Sequence, residues 1–322
     1  MTEPHKRANR HPKYKTAYRV KNWREYDKSL RDRGDITLWI SQEAIDAWTP
    51  PQTGKRGAQP VYSDAAIETA LSLRLLFRLP LRQTEGFLSS IVSLMDVTLP
   101  CPDHTTLSRR NTTLAIRRQS DRAPEGPLSL IVDSSGLQVC GQGEWHRQKH
   151  GEKSHKRWKK LHIGVDAQGQ IVASTVTESH EQDPAQVPEL LSQVDRIIDH
   201  FIGDGIFDQA PVYTAVENHS PGALVIIPPR KDAVLSPTAT TAPTQRDQHL
   251  LAIENAGRCG WKRASGYYAQ SQAENAFSRF KRTFGGVLRS KRDECQAREA
   301  SLACELLNRM RALGRPQSYA VS

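Results

Sequence analysis

The sequence predicts an α/β protein, in which a mixed β-sheet with flanking helices follows an α-helical N-terminal region. Three observations lead to this prediction. Apolar residues recur at helical spacing up to about residue 120. At residue 128 the pattern changes to apolar, partly β-branched runs and alternating strands. Beyond residue 185, helical and strand patterns alternate, which is the order typical of a mixed α/β sheet.

The basic charge of the chain indicates a polyanionic partner. The formal net charge is +10 over 322 residues, a length sufficient for two domains or for one large domain with appendages. Three segments hold much of it: residues 1–33 have eleven Lys and Arg against four acids, residues 144–160 have seven against two, and residues 278–292 have six and no acid. A single basic run is more often a solvated face, but three of them favour nucleic acid.

Cysteine usage and hydropathy place the chain inside the cell and away from membranes. The five cysteines lack C-x-x-C spacing, and their odd number argues against a disulfide scaffold. No stretch approaches the roughly 18 apolar residues of a membrane span, and the basic N-terminus lacks the apolar core of a signal peptide. We therefore expect no zinc framework and no membrane contact.

Residues 1–20 are expected to form a basic flexible arm, and residues 21–122 a helical DNA-binding region. Ser63 is a suitable N-cap for a helix that ends before Pro80. A further helix follows, and then a third pattern, from Thr105 to Ile116, which is capped by Asp103 and contains Arg109 and Arg110. This order indicates a helix-turn-helix reader of the major groove. A helical bundle with a basic face explains the pattern nearly as well.

Residues 123–316 are expected to form the sheet-containing domain, with an irregular insertion at about 228–262. The elements predicted in order are a buried strand ending at Asp133, a hairpin of strands 158–166 and 171–177, a helix over 185–199, a strand ending at Asp204, a helix over 209–218, a strand over 223–227, and helices over 269–284 and 296–313.

Three acidic residues, Asp133, Asp204 and Glu274, are interpreted as one site. Glu274 lies beside the apolar stripe of its helix, and Lys281 follows two turns later on the same face. Three converging carboxylates suit Mg²⁺, which prefers hard oxygen ligands, and a pair of such ions catalyses in-line phosphodiester displacement. For an isolated aspartate at a strand end a turn or cap role is more common, and spacing alone does not decide between the two.

Several short sequence motifs together resemble those of the D-D-E transposases of bacterial insertion sequences, most closely the "insertion sequence five" family. In that family the third motif reads Tyr, two residues, Arg, three residues, Glu, six residues, Lys. Tyr267, Glu274 and Lys281 have these spacings, while Gln270 stands where Arg is expected. The other matching phrases are Asp133-Ser134-Ser135-Gly136, Gly203-Asp204-Gly205-Ile206-Phe207-Asp208, Arg33-Gly34-Asp35-Ile36-Thr37-Leu38-Trp39, Gly141-Gln142-Gly143-Glu144-Trp145 and Trp158-Lys159-Lys160-Leu161-His162.

The resemblance implies a ribonuclease-H-like fold, with Asp133 on the first strand, Asp204 after the fourth and Glu274 on a late helix. It implies Mg²⁺-dependent hydrolysis, with Mn²⁺ able to substitute, at the terminal inverted repeats of double-stranded DNA. The freed 3′-OH then attacks target DNA. A homodimer on DNA and a bacterial, cytoplasmic, nucleoid-associated location are expected. Tyr267 and Lys281 would contact phosphates. Gln270 can also donate to a phosphate oxygen, but it lacks the charge and fork of arginine.

Further DNA contacts are expected from the basic run that contains Lys159 and Lys160. Trp145 is as suited to packing as to stacking on an unpaired base. The histidines of this region have irregular spacing, which favours DNA contact or a solvated loop over a metal site: His146, His150, His155 and His162. Two other functions stay open at this point, a catalytically idle DNA-binding relative and a nuclease of the same fold without strand transfer.

Overall fold

The computed structural model describes residues 17–51, 54, 56–57, 59–116, 126–140 and 157–321. These residues form eight strands and ten α-helices. The strands are β1 (Ala17–Val20), β2 (Leu128–Val139), β3 (Trp158–Val165), β4 (Ile171–Glu178), β5 (Ile198–Ile202), β6 (Leu224–Ile226), β7 (Val287–Leu288) and β8 (Ser318–Val321). The helices are α1 (Trp23–Asp32), α2 (Gln42–Asp46), α3 (Asp64–Leu76), α4 (Leu81–Leu94), α5 (His104–Arg110), α6 (Val187–Leu191), α7 (Ala210–His219), α8 (Gln245–Ala264), α9 (Ser271–Phe284) and α10 (Asp293–Ala312).

A mixed six-stranded sheet forms the centre of the fold. Its strand order is β4-β3-β2-β5-β6, and β7 pairs with the far end of β2. The β4, β3 and β2 strands are antiparallel neighbours, whereas β5 and β7 both run parallel to β2, and β6 runs parallel to β5. The sequence prediction of a mixed sheet with flanking helices is therefore confirmed.

The sheet has a gap along one edge of β2. On that edge β5 pairs with β2 up to Ile131, and β7 pairs with it again from Gln138 onward. Within the described residues no strand pairs with the intervening stretch of β2 on this side. Its other edge stays paired with β3 throughout. Asp133 lies in this gap, so its neighbourhood is open to side chains from outside the sheet.

The two faces of the sheet pack against different layers of helix. Because successive residues of a strand point to opposite faces, β2 contributes Leu130 and Val132 to one core and Ile131 and Leu137 to the other. The first core is completed by α6 and α7, and the second by α9, α10 and the N-terminal helices. Asp133 shares the face of Ile131 and Leu137, which is the face covered by α9.

The N-terminal helices pack directly on the sheet-containing part. Buried side chains of α3, α4 and α5 belong to the same core cluster as β3, α9 and α10. Arg309 of α10 pairs with the buried Glu68 of α3, and the guanidinium of Arg74 lies 4.0 Å from the carboxylate of Glu299. The nine residues from 95 to 103 separate α4 from α5. That connection is longer than the three- or four-residue turn of a helix-turn-helix, so the expected motif is not found between α4 and α5.

The cap predictions in this region are confirmed, although the last helix is shorter than expected. The Ser63 hydroxyl accepts from the amide of Ala66, and the Asp103 carboxylate accepts from the amide of Thr106. Helix α5 ends at Arg110, whereas the sequence pattern extended to Ile116. Leu114 and Ile116 still pack on the core, from a non-helical segment, and this packing accounts for their apolar character.

Two of the predicted elements after residue 180 are wrong. The helix expected over 185–199 is only α6, preceded by a short 3-10 turn, because β-branched Ile198 begins the buried strand β5. The insertion at 228–262 is irregular only in its first half. Helix α8 starts at a capping box, in which the Thr244 hydroxyl accepts from the amide of Asp247 and the Asp247 carboxylate accepts from the amide of Thr244.

Three further features were not predicted. Strand β2 continues beyond Asp133 to Val139, so this acid lies within a strand and not at its end. The short strand β7 follows α9. The strands β1 and β8 join the two ends of the described chain in an antiparallel ribbon. No helix in the described ranges has the length and apolar content needed to cross a membrane.

Candidate active site

Asp133 and Asp204 are brought together by the parallel register of β2 and β5. Ile131 is paired with Ile202, and each aspartate lies two residues farther along its own segment. Asp204 caps a short 3-10 turn, in which its carboxylate accepts a 3.0 Å hydrogen bond from the amide of Ile206. Asp204 therefore does have the cap role that is common for an aspartate at a strand end. One oxygen accepts the cap hydrogen bond, and the negative charge of Asp204 still acts on Asp133.

Glu274 approaches the same place from α9, which covers the face of Asp133. The apolar stripe of α9, Ala273, Phe277 and Phe280, is buried in the core, as the sequence predicts. Glu274 lies next to that stripe and is exposed. Its negative charge is one of those that act on Asp133. The three acids predicted from the sequence are thus electrostatic neighbours around the gap in β2.

Burial and negative charge hold Asp133 in an unusual state. Its pKa is raised to about 6, chiefly because burial disfavours the carboxylate. The charges of Asp204, Glu274 and Asp183 raise it further, whereas a 2.8 Å hydrogen bond from the amide of Ser134 lowers it. Burial also raises the pKa of Asp204. A nearby cation would offset both effects, since it favours the ionised carboxylates.

The described residues do not contain three His, Cys, Asp or Glu side chains already set at metal-coordinating distances. The donor set nevertheless fits a hard divalent cation, because it consists of carboxylate oxygens whose mutual repulsion a cation would relieve. Asp133 and Asp204 are half-buried, whereas Glu274 is exposed at the edge of the site. Coordination by all three would therefore require their side chains to come closer together than they lie here.

Tyr267 lies among the three acids, at the start of the 3-10 turn that leads into α9. Burial raises its pKa to about 12, and the charges of Asp204, Glu274 and Asp133 contribute. Helix α8 supports the ring: the centroid of Trp261 lies 5.8 Å from that of Tyr267, and the ammonium of Lys262 lies 4.8 Å from the Tyr267 centroid. The phenol is thus neutral and able to donate a hydrogen bond.

Trp261 is itself tied to the sheet through His249. The indole N–H donates to Nδ1 of His249 at 3.1 Å, and Nε2 of His249 donates to the carbonyl of Val225 on β6 at 2.7 Å. The insertion helix α8 is therefore a support for Tyr267. Sequence analysis missed this role because the capping box that starts α8 went unrecognised.

The position of Gln270 does not fit the predicted DNA contact. The side chain is 6% exposed, and its amide donates a 3.0 Å hydrogen bond to the carbonyl of Val132, in the gap of β2. Its Oε1 is buried without a hydrogen-bond partner in the described part of the chain. The uncharged amide of Gln270 fits in this buried place and supplies a hydrogen-bond donor to the carbonyl of Val132. Gln270 therefore belongs to the interior of the site and not to its DNA-facing surface.

Lys281 projects toward the strand that carries Asp133. Its ammonium donates a 2.6 Å hydrogen bond to the hydroxyl of Ser135, two residues beyond Asp133 in β2. The residue is exposed and the structure pairs it with no carboxylate, among the residues described. Its charge is therefore available to an anionic ligand at the edge of the site, and the predicted phosphate contact stays a prediction.

A fourth acid, Asp183, was missed by sequence analysis. One oxygen accepts from the hydroxyl of Ser134 at 2.8 Å, and the other accepts from the ammonium of Lys160 at 2.8 Å. The imidazole of His162 lies 4.0 Å away. Asp183 is nearly inaccessible, at 6% exposure, and its charge raises the pKa values of Asp133 and Asp204. An acid immediately before Pro184 is typical of the start of a helix. The sequence around Asp183 therefore does not indicate its contacts with Ser134 and Lys160.

Two of the remaining residues predicted to contact DNA, Lys159 and Lys160, form ion pairs within the protein. Lys159 is 5% exposed and pairs with Glu178 and Asp293, so its ammonium faces the protein and the expected DNA contact is not supported. Lys160 is engaged with Asp183.

On α5, Arg110 donates to Asp64 and to the carbonyl of Tyr62, whereas Arg109 is exposed and, among the described residues, bonds only to Thr106 of its own helix, at 3.4 Å. Arg109 is therefore the better candidate for DNA contact on this helix. Trp145 lies outside the described residues.

Comparison with known proteins assigns a family to this chain. Residues 124–308 match a family model described as "Transposase DDE domain", and residues 31–142 match a second model with the same description. Among solved structures, the piggyBac transposase synaptic complex with hairpin DNA is 10% identical, with 85% of this chain and 73% of that chain covered and a TM-score of 0.39. The Mos1 transposase paired-end complex with left transposon end is 13% identical, with 82% of each chain covered and a TM-score of 0.22.

Proposed function

The chain belongs to the family of transposases with a DDE domain, and from this membership we propose that it mobilises a bacterial insertion sequence. In this proposal it binds the terminal inverted repeats, hydrolyses a phosphodiester bond at each end and joins the freed 3′-OH to target DNA. The observation that supports it best is the meeting of Asp133, Asp204 and Glu274 at the gap in β2. These are the three acids that the family's motifs designate.

Two finer assignments belong to the same proposal. The order of the sheet, with three antiparallel strands followed by parallel β5 and β6, supports a ribonuclease-H-like fold. In that assignment Asp133 lies on the first strand of the sheet, and Asp204 follows the fourth. The spacing of Tyr267, Glu274 and Lys281 supports membership in the "insertion sequence five" family, with glutamine in place of the family's arginine at Gln270.

Asp133, Asp204 and Glu274 are the residues that would hold Mg²⁺, or Mn²⁺ in its place. When bound, such ions lower the pKa of an attacking water and stabilise the leaving 3′ oxygen. The chain's own part is to keep the carboxylates close together in a half-buried place. Burial, and after it the neighbouring negative charges, disfavour the ionised acids in the absence of a cation, as the raised pKa of Asp133 indicates, and so favour binding of a cation.

The residues around the acids would position the DNA strand. Lys281 places a positive charge at the edge of the site, beside Ser135, where it would contact a phosphate. The neutral phenol of Tyr267 would donate a hydrogen bond to the same strand. Arg109, exposed on α5, is the N-terminal candidate for a contact away from the reacting bond. Gln270 would act indirectly, through the main chain next to Asp133.

Both ends of the element must be held together for joining, so we expect a homodimer on DNA. The proposed place of action is the bacterial nucleoid in the cytoplasm, where the substrate DNA lies. The net charge of +10 supports this partnership, because neutralised phosphates release counterions and thereby favour binding.

The test is a combined cleavage and joining assay. A labelled duplex that carries the element's own terminal repeat is incubated with the protein, Mg²⁺ and a supercoiled target plasmid, and a second duplex is supplied with its 3′ end already cut. We expect both cleavage of the first duplex and joining of either one to the plasmid. Cleavage without joining of the pre-cut end would favour the nuclease. Specific binding without cleavage would favour the idle DNA-binding relative.

A further inference from the structure

Three arginines from distant parts of the chain, Arg33, Arg279 and Arg311, gather on the far flank of α9. We refer to them as the arginine cluster. Arg279 lies five residues after Glu274 in α9, which places it about 140° around the helix from that acid. The cluster is therefore separate from the candidate active site. Arg311 comes from the last turn of α10, and Arg33 follows α1.

Gly169, in the turn between β3 and β4, is the meeting point of two of these side chains. The guanidinium of Arg279 donates a 2.9 Å hydrogen bond to the carbonyl of Gly169. Nη2 of Arg311 lies 3.5 Å from the position that a β-carbon on Gly169 would occupy. Arg33 donates at 3.0 Å to the carbonyl of Gly314, three residues beyond Arg311. Three fixed main-chain segments thus hold three positive charges in one place.

The charges of the cluster are not balanced by ion pairs. None of the ion pairs formed by the described residues includes Arg33, Arg279 or Arg311. The negative charge of Asp166 acts on Arg311 without forming an ion pair with it, and its carboxylate accepts from the amide of Gln170. All three arginines are half-buried, and a guanidinium removed from water without a counter-charge is costly, so the arrangement needs an explanation.

Unpaired donors and lowered pKa values within the arginine cluster agree with an excess of positive charge there. Nε of Arg33 and Nε of Arg279 are buried and lack hydrogen-bond partners among the described residues. The pKa of Arg279 is lowered to about 10, first by burial and then by the charges of Arg311 and Arg33. The pKa of Arg311 is likewise lowered by burial and by Arg315. An anion placed among the three guanidiniums would relieve both the repulsion and the unpaired donors.

We propose that the arginine cluster binds a phosphate group, supplied by a DNA backbone that lies on the opposite flank of α9 from the cleavage site. The planar donor forks of arginine match the oxygens of phosphate, and charge-assisted pairs of this kind are strong. Arg279 is recessed, so the site takes one anionic group and not an extended surface. The DNA source rests on the proposed function, whereas the phosphate chemistry does not.

The first experiment uses inorganic phosphate as the probe. Thermal unfolding of the full chain is measured in phosphate and in chloride, at equal pH and ionic strength. The matched variants are Arg311→Gln and Arg298→Gln, which is an exposed arginine of the same helix. We expect phosphate to raise the Tm of the parent and of Arg298→Gln by several degrees, and to leave Arg311→Gln unchanged. In chloride Arg311→Gln should be at least as stable as the parent, because the repulsion from Arg315 and Arg279 that it removes outweighs the attraction of Asp166.

Equal phosphate responses in all three proteins, or no response in the parent, would overturn the site. A marked loss of stability of Arg311→Gln in chloride would also overturn it, since the arginine would then have a structural partner. These results do not depend on DNA cleavage. If phosphate stabilises the parent selectively but no DNA is cleaved, the proposed function fails while the phosphate site stands.

The second experiment separates DNA from free phosphate as the source. The affinity for a duplex with the terminal repeat is measured at several salt concentrations. Loss of one phosphate contact lowers the slope of log affinity against log salt by about 1. We expect this decrease for Arg311→Gln and not for Arg298→Gln. Equal slopes for the two variants would overturn the DNA assignment and restrict the site to free phosphate.

Discussion

The side-chain amide of Gln270 donates a 3.0 Å hydrogen bond to the carbonyl of Val132, the residue before Asp133. Gln270 lies four residues before Glu274, at the entry to α9. This single contact therefore connects the segment of one candidate acid with the strand of another. The hydrogen bond lies in the gap of β2. There, no neighbouring strand among the described residues supplies a donor for the carbonyl of Val132.

Replacement of Gln270 by methionine should destabilise the protein and slow cleavage. Methionine keeps the approximate volume but leaves the carbonyl of Val132 without its donor, at a cost of about 1–3 kcal/mol in the free energy of unfolding. Urea unfolding measures this cost, and cleavage of a terminal-repeat duplex measures the displacement of Asp133 relative to Glu274. The control is Asn275→Met, at an exposed position of α9, the helix that follows Gln270. Equal stability of the two variants would contradict the role assigned to Gln270.

Arginine at position 270, the residue of the family motif, should not improve this protein. The site at Gln270 is buried, so a guanidinium there would either lose hydration or leave the pocket and break the contact with Val132. We expect Gln270→Arg to lower the midpoint of urea unfolding and to leave the affinity for the terminal repeat unchanged. A clear gain in affinity would instead show that the side chain reaches a phosphate.

Asp183 is a positioning residue for the strand of Asp133, and it should be coupled energetically to Lys160. Asp183→Asn removes the charge that Lys160 pairs with, while its other contact, with Ser134, can persist. We expect a loss of about 1–3 kcal/mol in the free energy of unfolding. Lys160→Met in the same chain should restore part of it, with a coupling free energy of about 0.5–3 kcal/mol.

A positioning role requires a kinetic signature as well. Cleavage by Asp183→Asn should have a lower kcat at an unchanged affinity for the terminal-repeat duplex, because Asp183 faces Ser134 and not the surface. If the variant lost stability but cleaved at the parent rate, Asp183 would be structural only. Additive effects of the two substitutions on stability would argue against the pair.

Lys281 should contribute one phosphate contact. Its ammonium is exposed, and in the described part of the chain it is bound to a neutral hydroxyl and to no acid. For Lys281→Met we expect the slope of log affinity against log salt to decrease by about 1, with weaker binding at every salt concentration. Lys231→Met, at an exposed position in the first half of the insertion, is the control. The same slope for both variants would be inconsistent with a contact at Lys281.

The buried His162 should make the protein sensitive to acid. Burial lowers its pKa to about 4, although the nearby Asp183 opposes this effect, and the ring bonds to the hydroxyl of Thr177 at 2.8 Å. Because its folded pKa lies below the ordinary value of 6.5, the unfolded chain binds the proton first as pH falls. Stability is therefore complete above pH 6.5 and is lost between about pH 6.5 and 4.

The expected loss from this one group is on the order of 1–3 kcal/mol. It is measured by urea unfolding at pH 7.5 and pH 5, for the parent and for His162→Gln. The variant cannot take up the proton, so its stability should fall less between the two pH values. A parallel decrease in both proteins would assign the acid sensitivity to other groups.

The sequence was sufficient for the elements whose local signals agree with their packing. The Ser63 and Asp103 caps, the apolar stripe of α9 and the hairpin turn that contains Gly169 were all predicted, because each is a short-range pattern. Glu274 could be placed next to the stripe for the same reason. Asp133 and Asp204 were identified through motifs, and only the β2–β5 register brings them together.

Features that depend on distant contacts were missed. Ile198 fits a helical pattern, and its place in a strand comes from pairing with Leu128. Gln270 has the polarity of a surface residue, and only the gap in β2 gives it a buried partner. Asp183 likewise meets Ser134 and Lys160 across long stretches of chain. The capping box of α8, by contrast, is a local signal that the sequence does contain.

The most direct test of the central claim is cleavage of a labelled terminal-repeat duplex by the parent protein and by Glu274→Gln, in Mg²⁺ and in Ca²⁺. The substitution keeps the shape of the side chain and removes one charged ligand. Glu254→Gln, an exposed carboxylate on α8, is the control. We predict cleavage by the parent and by Glu254→Gln in Mg²⁺ alone, and retained binding without cleavage by Glu274→Gln. Equal cleavage by all three proteins would place catalysis elsewhere and contradict the three-carboxylate site.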